Sequence, residues 1–72
     1  MTAANYNEAS QMIRQIAAEA GIDLVLWGTG NPVHKPCVIA ILDASGINGY
    51  RVYVYPQGED KPGTIKYIEL AR

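Results

Sequence analysis

The chain has 72 residues, 49% of them hydrophobic and 18% charged, with a formal net charge of -1. That balance belongs to a folded globule and excludes a disordered chain, and the length suits one small α+β domain spanning 1–72 with a thin core. Near-zero charge excludes a strong electrostatic footprint for nucleic acid or an anionic membrane, since both require clustered Lys and Arg.

Cys37 stands alone, so no intrachain disulfide can form, and a reducing, cytoplasmic setting is expected. No basic region followed by an apolar run opens the chain, and no apolar stretch approaches about 18 residues, so neither an export signal nor a membrane span is expected. Glycines and prolines fall at what read as element boundaries.

Before the first break, Asn7 to Ala20 reads as a helix. Ala9, Ile13, Ile16, Ala17 and Ala20 form one stripe, and Glu8, Gln11, Arg14, Gln15 and Glu19 lie opposite. Asn5 or Asn7 can cap it; with Asn5 as cap, Glu8 falls at the third helical position, and Gly21 supplies a left-handed terminator. The first few residues are left outside any element.

Four apolar runs follow: Ile22 to Trp27, Cys37 to Asp43, Tyr50 to Tyr55 and Thr64 to Leu70. The connections are too short to hold a crossover helix, which predicts antiparallel neighbours. The expected fold is therefore an N-terminal helix packed on one face of a four-stranded antiparallel β-meander (αββββ).

In the third run, period-2 alternation places Tyr50, Val52 and Val54 on one face and Arg51, Tyr53 and Tyr55 on the other. The valine face is expected to join the helix stripe. A helix of ~14 residues is ~21 Å long and ~10 Å wide, narrower than four strands spaced ~4.8 Å apart. About half of Val25, Trp27, Ile39, Ile41, Tyr53, Tyr55, Tyr67 and Ile68 must then lie on an uncovered face, and a patch of that kind marks an interface.

The motifs for chemistry are weak. Trp27-Gly28-Thr29-Gly30-Asn31-Pro32 has the Gly-x-Gly of a dinucleotide loop, but no third glycine and no helix follow it, so no phosphate cradle forms. His34 and Cys37 are one of each where a structural zinc site needs four ligands, and no third group orients them as a catalytic pair. Asp23 and Asp43 are expected near each other across a hairpin, and a helix followed by such a hairpin resembles the PD-(D/E)xK nuclease core over barely a third of the chain. That family requires an acid-x-Lys on the second strand; Asp43-Ala44-Ser45 has no lysine, so no metal site and no nuclease activity is expected. With a single histidine in a Gly/Pro-rich loop there is no serine triad, and a core this small leaves little room for a pocket. No cofactor or metal is expected, and the chain reads as non-enzymatic.

The aromatic residues are Trp27, Tyr6, Tyr50, Tyr53, Tyr55 and Tyr67, with no phenylalanine, so every large ring carries a polar handle suited to a half-wet surface. Such a face can roof a thin core, stack single-stranded nucleic acid as sheet platforms do, or bind protein. The last asks least of the charge. The expected function is a small protein–protein interaction module acting by stoichiometric binding, for instance as an inhibitor of a larger host complex, in the manner of small phage and mobile-element proteins. A homodimer through the open face or an edge strand is expected as well. Candidate anchors are Trp27, Arg51, Tyr53, Tyr55 and Tyr67, with Asn31, His34 and Lys35 in the loop from Gly28 to Pro36 as a second contact.

Overall fold

The computed structural model describes residues 1–28, 36–43 and 48–71. Its elements run β1 (Thr2–Ala3), α1 (Tyr6–Glu19), β2 (Val25–Trp27), β3 (Cys37–Asp43), β4 (Gly49–Tyr55) and β5 (Thr64–Leu70). They build one helix on a five-stranded mixed sheet of order β1-β5-β4-β3-β2.

Both ends of α1 follow from local sequence. Asn5 is extended, and its Oδ1 accepts from the Glu8 N–H at 2.9 Å, satisfying one of the donors left over in the first turn. At the other end Gly21 has φ +73, its N–H donates to Ala18 O at 3.0 Å, and the Ile22 N–H donates to Ala17 O at 2.8 Å. This is a Schellman ending, which a β-carbon at Gly21 would strain. Ala9, Ile13, Ile16 and Ala17 are buried as the stripe requires, whereas Ala20 is exposed because the cap turns it off the sheet.

The sheet departs from the expected meander in two ways. First, the N-terminal residues are not outside the fold. Thr2 and Ala3 pair parallel to Glu69 and Leu70, with the Glu69 N–H donating to Met1 O at 2.8 Å, and Ala3 is fully buried. Two residues are too few for a periodic signal, so only the edge that receives them reveals the strand. Second, β2 pairs parallel to β3, Val25 against Val38 and Trp27 against Ala40. A crossover normally needs a dozen residues or more because it must span a whole strand. Here β2 is 3 residues long. The return path is only ~10 Å, well within reach of the connection from Gly28 to Pro36. β3, β4 and β5 are antiparallel, as expected.

Between β4 and β5 the Glu59 N–H donates to Pro56 O at 3.2 Å and Gly58 has φ +79, the left-handed third position of a type II turn. The core lies between α1 and one sheet face. Ile13, Val38, Val52 and Ile68 are fully buried there, with Ala40 and Tyr50 beside them. A buried Ile of this kind contributes about 2–3 kcal/mol by removal from water.

Candidate functional site

Strand register sorts the side chains that sequence could only pair by parity. Facing α1 are Val25 and Trp27 on β2, Val38, Ala40 and Leu42 on β3, Tyr50, Val52 and Val54 on β4, and Thr64, Lys66, Ile68 and Leu70 on β5. The opposite face carries Leu26, Cys37, Ile39, Ile41, Asp43, Arg51, Tyr53, Tyr55, Ile65, Tyr67 and Glu69.

On this second face the partners form rows across the sheet. Leu26, Ile39, Tyr53 and Ile65 make one row; Ile41, Arg51 and Tyr67 make the next. Ile39 is 2% exposed, Tyr53 and Tyr55 are half-buried, and Ile65 and Tyr67 are 45% and 48% exposed. The face is thus sealed near β3 and opens toward β5. Arg51, Tyr53, Tyr55 and Tyr67 lie together on it, as Ile39 and Ile41 do. Trp27 does not.

Trp27 sits on the helix side, its ring 6.1 Å from that of Tyr6 and 6.0 Å from that of Tyr50, while Tyr6 and Tyr50 are 6.3 Å apart. These are ordinary stacked and edge-on separations, and the triad closes the end of the core where α1 begins. Tyr6, Trp27 and Leu42 remain 57%, 44% and 58% exposed, so the residual apolar surface is divided between two places. Helical spacing holds the missed signal: Tyr6 precedes Ala9 by three residues and Ile13 by seven, which continues the buried stripe.

The charge on the open face is arranged in one contact. Arg51 Nε donates to Asp43 Oδ2 at 2.8 Å, with Asp43 buried at 7% exposure and the Arg51 side chain 44% exposed. Hydrogen bonds to Tyr53 first and Asp43 second, together with the Asp43 charge, push the guanidinium further toward its protonated form. Lys66 belongs to the other face, away from Arg51. Asn31, His34 and Lys35 lie outside the described residues, as does Arg72.

Asp23 and Asp43 do not meet. Continuing the parallel register, Asp23 falls level with Pro36, and Asp43 is then ~23 Å further along the strand. Among the described residues no three His, Cys, Asp or Glu side chains converge as metal ligands. A groove of ≈ 180 Å³ lined by Ile16, Glu19, Ala20, Val54, Thr64 and Lys66 is smaller than the roughly 300 Å³ at which ligand pockets begin. Among the described residues no helix is long and apolar enough to cross a membrane.

No known protein family, curated protein or solved structure gives a significant match to this chain.

Proposed function

We propose that this chain is a non-enzymatic protein-binding module whose working surface is the sheet face turned away from α1. The observation that carries this reading is the Arg51–Asp43 ion pair. Arg51 is the one cation among the described residues of that face, and Asp43 on the same face already neutralises it. A platform for single-stranded nucleic acid needs cations free to meet phosphate, whereas a protein interface favours aromatic residues and an Arg in a largely uncharged centre. Tyr53, Tyr55 and Tyr67 beside Ile41 and Ile65 meet the second description. Such a surface acts by occupancy, as a stoichiometric inhibitor of a larger protein or complex does, and a second copy of the chain is one partner it can take.

The test is affinity capture with the wild-type chain beside a Tyr53→Ala/Tyr55→Ala variant, followed by titration of each captured protein. The expected result is a 1:1 partner that the variant loses, with affinity little changed by salt. Partners retained equally by the variant, or salt-sensitive binding of a single-stranded oligonucleotide in their place, would overturn the reading.

A further inference from the structure

The outer edge of β5 is half covered. In a strand, successive backbone groups point to alternate sides. The Leu70 N–H donates toward Asn48 O at 3.1 Å on the β4 side. On the other side Tyr67 O accepts from the Met1 ammonium at 3.3 Å, and the Ala71 N–H donates to Ala3 O at 2.7 Å. By this alternation the N–H and C=O of Ile65 and the N–H of Tyr67 face outward. The peptide between Gly63 and Thr64 is trans, so the Gly63 carbonyl faces outward too. β1 covers only Glu69 and Leu70, and among the described residues nothing else pairs with the edge from Gly63 to Tyr67.

This edge presents donors and acceptors in equal number, and their order is self-complementary. We propose that it pairs antiparallel with the same edge of a second copy, about a two-fold axis passing between the two Ile65 residues. Each Ile65 then donates to, and accepts from, Ile65 of the partner subunit. Each Tyr67 N–H donates to the carbonyl of Gly63 of the partner subunit. All outward groups are satisfied, and the interface is isologous, as closed symmetry requires.

Neighbouring registers fail on the same observations. Centring the axis on Lys66 sets two ammonium groups opposite each other and pairs Ile65 with Tyr67 of the partner subunit, which calls on the Tyr67 carbonyl that Met1 already occupies. Centring it on Tyr67 requires the carbonyl that Met1 occupies and drives the second copy into β1. With Ile65 on the axis, Lys66 lies opposite Thr64 of the partner subunit, and the exposed Tyr67 ring covers Gly63 of the partner subunit, a favoured aromatic–glycine pairing. The axis is perpendicular to the sheet, so both open faces end on the same side and form one surface across the seam. Pairing over so short an edge is at the small end for specific interfaces, which sets the expected Kd in the micromolar range. The proposal gives an edge and a register to self-association, and it holds whichever protein occupies the open face.

Sedimentation velocity across roughly 1–100 µM, with hydrogen exchange read residue by residue, tests it. The expected result is a concentration-dependent dimer in which the Ile65 and Tyr67 amides become protected. Ile65→Lys, at a half-exposed position, is expected to give a folded monomer by circular dichroism, and Ile65→Pro removes the outward N–H without touching the β4 ladder. A wild-type chain that stays monomeric, or a dimer that Ile65→Lys leaves intact, would overturn the proposal. A dimer split by Tyr53→Ala/Tyr55→Ala but not by Ile65→Lys assigns self-association to the open face, and likewise overturns the edge. Captured partners retained equally by Tyr53→Ala/Tyr55→Ala, with the Ile65-dependent dimer intact, would instead count against the proposed function alone.

Discussion

Arg51 and Asp43 meet diagonally across β3 and β4, because Asp43 is paired with Gly49 and Arg51 with Ile41, and the side chains bridge the step at 2.8 Å. The contact neutralises the centre of an aromatic sheet face and anchors a buried carboxylate at the end of β3.

If the pair is energetically coupled, Arg51→Met and Asp43→Asn will each lower the thermal midpoint, and the double variant will lose less than their sum. A double-mutant cycle from urea denaturation measures this. Since Arg51 is partly in water, the coupling is expected to fall by about half between low salt and 1 M NaCl, where the Debye length is ~3 Å. Additive effects at low salt would mean the contact is decorative.

Gly49 separates Asp43 from Glu69 along its row, and a β-carbon there would collide with the carbonyl oxygen of Ile68. Its φ is not in the left-handed region, so the requirement is close backbone approach and not turn conformation. Gly49→Ala is expected to destabilise by roughly 2–3 kcal/mol through a forced shift of the β4–β5 pair. A denaturation midpoint equal to wild type would show that the strands part without cost.

Ile65 and Ile68 lie three residues apart on β5 and face opposite ways, at 45% and 0% exposure. Ile68→Ala opens a cavity under α1 and is expected to cost about 3–4 kcal/mol, whereas Ile65→Ala is expected to cost under ~1 kcal/mol in the monomer. Both are read from chemical unfolding below the dimerisation range. Similar losses would contradict the placement of the core on one face.

Burial pushes the Cys37 thiol above its ordinary 9.0, and burial first, then the nearby Tyr6, pushes the Tyr50 hydroxyl above its ordinary 10.0. Both groups hold their protons longer in the folded chain than in the unfolded one. Their contribution is therefore complete below about pH 9 and is lost as pH rises through the folded values. The midpoint is expected to be insensitive to these two groups from pH 7 to 9 and to fall above it, with a shallower fall in Cys37→Ala. A thiol reagent at pH 8 is expected to label Cys37 slowly in the native chain and rapidly in urea; equal rates would refute its burial.

Much of this arrangement is legible in the chain. The helix stripe, Asn5 as cap, Gly21 as terminator and the split of Tyr50, Val52 and Val54 from Arg51, Tyr53 and Tyr55 all follow from periods of 3.6 and 2 and from a few local hydrogen bonds. The strand β1 and the direction of β2 do not, and neither does the face on which Trp27 lies. Parity within an isolated strand says which residues share a side but not which side is covered, so Trp27, an equal candidate with Tyr67 by composition, ended against Tyr6 and Tyr50.

The sequence by itself determined what the local backbone repeats: where the helix starts and stops, which strand residues alternate, and that one helix is too narrow to roof the sheet. Only the tertiary structure decided strand order and direction, the Arg51–Asp43 pair and the open β5 edge. Side-chain periodicity is a property of a few consecutive dihedrals. Pairing depends on return paths and contacts between segments as distant as Met1 and Tyr67, whose free energies exist only once the sheet has assembled.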